Sequence, residues 1–561
     1  MKLNERKILI GILSLAFFLR LGGIFHGFPL MVFSDESATL LASLKMLGTL
    51  SFHAADASGY YYPALLSYIY LPFLSLFVII GHWLGFFTSI QQIKEVVFFN
   101  LGYFVIVARL ISVFFGVATV YLVYKISKIL FENILISLLA SFFLAISFFH
   151  VGTSHLANTW VVQTFFYLLI LFWAIYFLKK IQVTFKDYLL GSFLVSLAFG
   201  INFVGVVGYS WFILSHFLRN KEKKLKDIFL INRNFWLTNL AIVVFMLVIY
   251  WLNPTGLNNY FNRLTASSSQ VGYASYQLLQ TSTFSNLFFY LKNIFLVEPF
   301  FCLFFLGGSW LLWKKNRLAF YFLSLGAVLY LAILSPMTGL LVRYSLPLFP
   351  LLVIVSAYFL FELFQLGYKK ISIILFILAS LYTLTFSLLF DFRLMKTDTL
   401  VLTRDWILKN ISASASIQNY DLGEDLNLVE NKISLGLIKD NLPNLLSSKR
   451  KYLLSLGEEA YPQPNFYVLD YQLPDKTLPS FDYVILSDME KNNVDLKSQA
   501  LLADYFLVKK FYPTENPVNG FWPGYYEIGV PFNHSMFRPF VLFRLYNVGP
   551  YVEIYKLKSL K

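Results

Sequence analysis

The sequence has little charge and almost no cysteine. Of its 561 residues only 14% are charged, and a single cysteine, Cys302, is present. One cysteine excludes a disulfide bond within the chain and a metal site built from several thiolates. The sequence also lacks a Walker-type phosphate loop, which argues against a transporter driven by ATP bound to this chain.

Apolar residues dominate instead. Hydrophobic residues make up 58% of the chain, aromatic residues make up 19%, and the mean hydropathy is +0.64. Apolar runs of about 20 residues, the length needed to cross a bilayer, recur along the chain. The composition predicts a polytopic α-helical membrane protein. The formal net charge of +14 lies in short basic clusters at the ends of apolar runs. Contact with membrane lipid explains that pattern, so no nucleic-acid partner is expected.

The basic clusters predict how the chain crosses the membrane. The positive-inside rule places Lys7, Lys125 and the later clusters in the cytoplasm. Three apolar stretches separate Lys7 from Lys125, so one of them is not a plain span. We assign this exception to 64–87, where prolines and glycines favour a re-entrant or interfacial element. About eleven spans follow, with the N-terminus cytoplasmic and the C-terminal part extracytoplasmic.

Two domains are expected. Residues 1–390 form the membrane domain, in which 26–98 is the first outward loop with juxtamembrane or re-entrant helices. A broken segment is expected near Gly200 and Asn202. Residues 391–561 change composition sharply, because the runs "NFYVLDYQ", "FDYVILSD" and "PYVEIYKL" are rich in β-formers and separated by turn residues. With a helix before them, they predict a small extracytoplasmic α/β domain.

The stretch "FSDESATLLASL", residues 33–44, places Asp35 and Glu36 directly after an apolar run. Acids in the first turn of a helix are stabilised by the helix dipole, so helix capping is one interpretation. The other is a general base, a carboxylate held against the bilayer that takes the proton from an incoming hydroxyl. Because neighbouring helical residues project about 100° apart, the two acids would divide the work.

Two arginines lie in or beside apolar runs. Arg109 stands inside "GYFVIVARLISVFFGV", where a charge is costly and indicates a function. It is interpreted either as an anion site that fits phosphate oxygens or as the partner of a buried carboxylate. Arg343, beside Tyr344 in "GLLVRYSLPLFP", is a similar candidate at the outer mouth of a span, with interfacial anchoring as the alternative.

Two polar outward segments complete the candidates. The turn "SFFHVGTSHLANTW" contains His150, His155 and Asn158. Hydrogen bonding to a substrate, interfacial solvation and, less favoured, a metal site are the interpretations left open. The loop 253–290 is rich in Asn, Ser and Tyr, which suits either a sugar or peptide surface or a solvated loop.

The order of these motifs resembles a known family. A first span, an outward Asp-Glu pair, an arginine in the next full span, "RYSLPLFP" at a later mouth and a tail opening "RDWILKN" together resemble the GT-C glycosyltransferases. The resemblance is closest to the group of protein O-mannosyltransferases and aminoarabinose transferases. It implies that one sugar moves from a polyprenyl-phosphate donor to a hydroxyl of an acceptor protein, lipid or cell-wall glycan, with inversion. A lipid-linked glycan flippase or carrier is the alternative, and a membrane-anchored binding protein is the third hypothesis.

The resemblance also implies roles for single residues. Asp35 matches the catalytic base, and Glu36 matches the acid beside it. Arg109 matches the arginine that binds the donor phosphate. From their own positions, and not from the resemblance, Arg343 is expected to assist Arg109, and His155, Asn158 and Tyr344 are expected to contact substrate.

Two positions depart from the family's pattern. Asn158 stands where the family often has Asp, and Asn202 stands where a lysine is common. No cofactor is assigned, and the participation of a divalent metal is left open. The signature WWDYG of oligosaccharyltransferases is absent, which argues against transfer of a whole glycan.

Overall fold

The chain is mostly helical, with one small sheet near its C-terminus. The computed structural model describes these residues: 4–32, 34–53, 63–230, 232–253, 283–336, 342–413, 415–419, 426–441, 443, 446–469, 481–487, 502–515 and 539–558. Most of the loop 253–290 lies outside the described residues, as do 33 and 54–62 of the first outward loop. The interpretation of those segments stays a prediction.

The N-terminal part is a succession of helices. In chain order they are α1 Glu5–Leu21, α2 Ser34–Thr49, α3 Leu65–Trp83, α4 Ile90–Phe99, α5 Gly102–Phe131, α6 Ile134–Ile146, α7 Phe148–Ser154, α8 Thr159–Lys179, α9 Phe185–Ile201, α10 Tyr209–Arg219 and α11 Arg233–Leu252. The membrane part continues with α12 Thr283–Val297, α13 Pro299–Lys315, α14 Arg317–Leu334, α15 Phe349–Gln365 and α16 Lys369–Leu394. Short 3-10 helices, Phe203–Gly208 and Val342–Leu348, precede α10 and α15.

The polytopic helical fold is confirmed. Among the described residues, 7 helices are long and apolar enough to cross a membrane, or up to 9 if each of two bent pairs is one span. The predicted number of about eleven therefore stays a prediction, and α1 and α9, with 17 residues each, are short for spans. The helix α3 is 19 residues long, mostly apolar, and continues through Pro72. Its length alone does not give its direction, so the re-entrant interpretation of 64–87 also stays a prediction.

Helix breaks lie within the apolar part of the fold. The break predicted near Gly200 and Asn202 is present: α9 ends at Ile201, and Asn202 Oδ1 accepts a hydrogen bond of 3.1 Å from the N–H of Val204. Two further pairs bend between their helices, α6 and α7 by 55° and α12 and α13 by 113°. Each break leaves backbone groups that must find partners inside the bundle.

Three of the lysines assigned to the cytoplasm form ion pairs near helix ends. Lys179 Nζ at the end of α8 lies 2.7 Å from Glu132 Oε1 at the end of α5. Lys128 pairs with Glu5 at the start of α1, and Lys180 pairs with Asp187 at the start of α9. These contacts bring the ends of α5 and α8 close to the starts of α1 and α9, and the predicted side of the membrane stays a prediction.

The C-terminal part contains the five-stranded sheet. Its elements are α17 Thr399–Asn410, β1 Ser416–Asn419, α18 Lys432–Asn441, α19 Ser448–Ser455, β2 Tyr467–Leu469, β3 Tyr483–Ser487, β4 Tyr505–Phe511 and β5 Val552–Leu557. The strand order is β2-β1-β3-β5-β4, with β1 parallel to β2 and β3, and β5 antiparallel to β3 and β4. The three β-rich runs predicted from the sequence contain β2, β3 and β5, and the α/β character is confirmed.

The apolar core of this C-terminal part extends into the loops that follow α1 and α7. One buried cluster joins the tail residues Leu400 and Ile417 to Leu30, Val32 and Leu156, which belong to the loops that follow α1 and α7. A second cluster joins α4 to α19. It contains Phe99, Leu435, Leu453 and Tyr461. The tail therefore packs on the segments that carry the candidate site.

Candidate active site

The helix α2 carries the two adjacent acids at its first turn. Neighbouring positions on a helix point about 100° apart, so one side chain can face the bundle while the other faces outward. The Glu36 side chain is 1% exposed and the Asp35 side chain is 48% exposed. Each acid pairs with a different arginine.

Glu36 and Arg109 form a buried, two-pronged ion pair. Arg109 Nε lies 2.8 Å from Glu36 Oε1, and Arg109 Nη2 lies 2.7 Å from Glu36 Oε2. Arg109 Nη1 donates to the carbonyls of Ile24 at 2.8 Å and His26 at 2.7 Å. Ala157 N–H donates to Glu36 Oε1 at 2.8 Å. Burial of an isolated charge is costly, and this set of partners compensates both members of the pair.

Asp35 and Arg343 form a second pair with a different exposure. Arg343 Nη2 lies 2.6 Å from Asp35 Oδ2, and the Arg343 side chain is only 8% exposed. The arginine stands in the short helix before α15, where the ring of Tyr344 packs on Trp160 with 4.5 Å between ring centres. The fold thus brings two of the predicted site residues together from opposite parts of the membrane domain, with Tyr344 beside them.

His155 and Asn158 lie in the turn between α7 and α8. His155 is buried, its Nδ1 lies 2.9 Å from the Val151 carbonyl, and its Nε2 lies 3.2 Å from Asp391 Oδ1. Asn158 is the N-cap residue of α8, and its Oδ1 accepts from Trp160 N–H at 3.0 Å. Their predicted contacts with substrate stay predictions.

Sequence reasoning missed the acid beside His155. Asp391 lies far along the chain, at the end of α16, and Asp398 lies 3.5 Å from His26 in a similar contact. Burial, together with the charge of Arg109, lowers the pKa of His26 to about 3, so this imidazole is neutral at pH 7. The signal that could have found these acids is their position where the last apolar run gives way to the polar tail.

Two further polar groups inside the bundle were not singled out. Arg20 donates to the carbonyls of Ala16, Leu144 and Ala145 and to His150 Nδ1 at 2.9 Å, so His150 is a partner of a buried arginine. Glu298, between α12 and α13, accepts from Ser147 Oγ at 3.0 Å and from Phe149 N–H at 3.4 Å. The dipeptide Glu-Pro between two apolar runs is the sequence signal for this helix start.

The chemistry available at the site comes from carboxylates and guanidinium groups. Among the described residues, no group of three or more His, Cys, Asp or Glu side chains is arranged to hold a metal ion. A carboxylate can take a proton from a hydroxyl, and a guanidinium can bind the oxygen atoms of an anion.

Comparison with known proteins gives structural similarity at low sequence identity. No protein-family model and no curated protein matches the chain. Among solved structures, the oligosaccharyltransferase of Archaeoglobus fulgidus tethered with an acceptor peptide is 12% identical, with 73% of this chain and 58% of that chain covered and a TM-score of 0.46. ArnT from Cupriavidus metallidurans bound to undecaprenyl phosphate is 12% identical, with 91% and 97% covered and a TM-score of 0.46.

A third similar structure is the protein O-mannosyltransferase complex of S. cerevisiae bound to the sugar donor, at 17% identity, with 50% of this chain and 36% of that chain covered and a TM-score of 0.32. The chain spans 58% of the length of the first of these three relatives. Both enzyme groups that the sequence resembles are among these similar structures. At these TM-scores the likeness assigns no activity and no residue role to this chain.

Proposed function

We propose that the chain transfers one sugar from a polyprenyl-phosphate donor to an acceptor hydroxyl. The observation that carries this proposal is the division of the adjacent acids: Glu36 is buried against Arg109, whereas Asp35 is half-exposed against Arg343. A base and a phosphate-binding cation must both reach substrate, and the half-exposure of Asp35 beside Arg343 supports this pair for those roles. Glu36 and Arg109 hold α2 and the surrounding loops in place.

In this mechanism the acceptor hydroxyl gives its proton to Asp35 as its oxygen attacks the anomeric carbon. The new glycosidic bond forms on the face opposite the donor phosphate, so the configuration at that carbon is inverted. The bond between the anomeric carbon and the phosphate oxygen breaks, and its electron pair leaves with polyprenyl phosphate. Arg343 stabilises the charge that develops on this phosphate. A single base contributes about 10²–10⁴-fold to such a reaction.

Donor binding separates Asp35 from Arg343 in this scheme. The guanidinium prefers the phosphate oxygens, which leaves the Asp35 carboxylate available to the acceptor. Arg109 remains the second predicted phosphate contact, although four of its hydrogen bonds are directed to Glu36 and to two backbone carbonyls. His155, Asn158 and Tyr344 stay proposed substrate contacts around this pair.

The test is release of polyprenyl phosphate by the purified protein in nanodiscs. A panel of polyprenyl-phosphate sugars is supplied with a membrane extract as acceptor source. Wild type is compared with Asp35→Asn and with the matched control Asp440→Asn, which changes an exposed aspartate of α18. Turnover of one donor that is lost in Asp35→Asn and kept in Asp440→Asn supports the proposal. Binding of labelled donor without turnover by wild type supports a carrier instead and overturns it.

A further inference from the structure

The segment 391–398, here called the connector, joins the last span to the C-terminal part and carries two buried acids. Asp391 Oδ1 lies 3.2 Å from His155 Nε2, and Asp398 Oδ2 lies 3.5 Å from His26 Nε2. All four side chains are buried. Burial of a carboxylate is costly, so each of these acids is expected to have polar partners.

The two histidines belong to the two elements that hold the Glu36–Arg109 pair. The backbone carbonyl of His26 accepts a hydrogen bond from Arg109. Two residues after His155, the Ala157 N–H donates to Glu36. The connector therefore contacts both loops that supply backbone partners to the buried pair, one through each acid.

The connector is also packed too closely to shift by itself. Gly23, in the loop after α1, has a φ of +73°, and a Cβ there would lie 2.4 Å from Leu394 Cβ. On the other side, Gly549 has a φ of +108°, and a Cβ there would lie 2.3 Å from Thr399 Oγ1 and 2.5 Å from Asp398 Oδ1. Only glycine fits these contacts without strain.

The C-terminal part fixes the far end of the connector. Thr399 N–H donates to the Val548 carbonyl at 2.8 Å, and Thr399 Oγ1 donates to the Pro550 carbonyl at 2.6 Å. Asp398 itself caps α17, since its Oδ1 accepts from Leu400 N–H at 2.8 Å. The docking of the tail thus sets the position of Asp398. Near Asp391, the tail is held by Arg393 Nε, which donates to the Leu542 carbonyl at 3.0 Å.

We infer that Asp391 and Asp398 are positioning residues through which the docked C-terminal part holds the Glu36–Arg109 pair in place. They act through His155 and His26, and neither is assigned a contact with substrate. The C-terminal part then helps to hold the loops of the site in position. The effect on catalysis rests on the proposed function, whereas the effect on the two loops does not.

Hydrogen–deuterium exchange of the full chain in nanodiscs tests the inference without any substrate. The variants are Asp391→Ala and Asp398→Ser, the latter chosen because serine keeps an N-cap oxygen for α17. Exchange in the peptides covering 150–160 is expected to rise about tenfold in Asp391→Ala, and exchange in those covering 22–30 is expected to rise about tenfold in Asp398→Ser. The matched control is Glu430→Gln, which changes a buried acid paired with Arg450 inside the tail.

Exchange within about twofold of wild type in both variants would overturn the inference, and so would an equal rise in the control, since that would report general loosening. In the donor assay, Asp391→Ala is expected to lower kcat about tenfold while the KM for donor changes less than about threefold, with partial recovery in Asp391→Asn. If wild type turns over no donor, the proposed function fails, and the exchange data alone still decide the inference.

Discussion

The two acid–arginine pairs at the start of α2 differ in what surrounds them. Glu36 and Arg109 are buried, and backbone groups of three residues from two separate loops complete their hydrogen bonding. Asp35 and Arg343 meet at the surface of the same site, where almost half of the Asp35 side chain is exposed. Sequence neighbours on one helix turn therefore occupy two different environments.

The difference in exposure suits the Glu36–Arg109 pair to holding the fold in place and the Asp35–Arg343 pair to contact with substrate. A buried pair with a full set of partners is expensive to disturb, because removal of one member leaves the other charge buried without compensation. In the second pair Asp35 is half-exposed, so water compensates its charge when the pair opens, whereas the buried Arg343 needs another anion in place of Asp35. Substitutions in each of the two pairs test this difference.

The largest effect is expected from Arg109→Ala. It leaves Glu36 buried without its cation, which costs about 3–5 kcal/mol of stability. The measurement is thermal unfolding in detergent, with Glu132→Gln as the control, because Glu132 forms an exposed ion pair with Lys179. The double variant Glu36→Leu/Arg109→Met is expected to recover part of the lost Tm without recovering donor turnover. An Arg109→Ala protein as stable as the control would show that the buried pair is not a support.

Asp35→Asn is expected to act on turnover and not on stability. The amide keeps the size of the side chain and removes the proton acceptor, so kcat should fall about 10²–10⁴-fold. Because the carboxylate is half-exposed, the Tm should stay near that of wild type. The rate of polyprenyl phosphate release measures kcat, and thermal unfolding of the same sample measures the Tm. Full turnover in Asp35→Asn would return Asp35 to the role of a helix-capping acid.

Arg343→Lys is expected to weaken donor binding with a smaller effect than the loss of Asp35. Lysine keeps the charge and can still pair with Asp35, but it lacks the planar set of N–H groups that fits phosphate oxygens. The KM for donor should rise about tenfold, and Arg343→Ala should raise it further. Steady-state kinetics over a donor range in nanodiscs measure this. A KM unchanged in both variants would remove Arg343 from the donor site.

Much of the fold follows from local patterns in the sequence. Apolar runs predict the helical bundle, the break at Asn202 follows from a polar residue and glycine inside an apolar run, and β-rich runs predict the strands of the tail. The sequence predicts both Asp35 and Arg343 as site residues, and in the structure they form an ion pair. For Arg109, the interpretation as the partner of a buried carboxylate describes the geometry around Glu36.

The remaining parts of the site depend on contacts between distant segments. The contact of His155 with Asp391 requires the end of the last span to return to the turn after α7, and no local pattern contains that information. The shared core of Leu30, Leu156 and the tail has the same origin. The domain boundary predicted at 390 stays a prediction; α16 ends at Leu394, and the tail packs on the loops that follow α1 and α7.

The smallest effect is expected at Asn158, where helix capping and the proposed contact with substrate involve different atoms. Asn158 Oδ1 caps α8, whereas its buried Nδ2 has no hydrogen-bond partner among the described residues. Asn158→Ser keeps a capping oxygen and removes the amide donor, and Asn158→Ala removes both. Loss of the cap should lower the free energy of unfolding by about 1 kcal/mol in the alanine variant only.

The proposed contact of Nδ2 with substrate is lost in both variants. The KM for acceptor should therefore rise a fewfold in both, which corresponds roughly to the net free energy of one hydrogen bond. Thermal scans and acceptor kinetics of the two proteins measure these effects, and an acceptor KM that changes only together with the Tm would leave Asn158 as a cap alone.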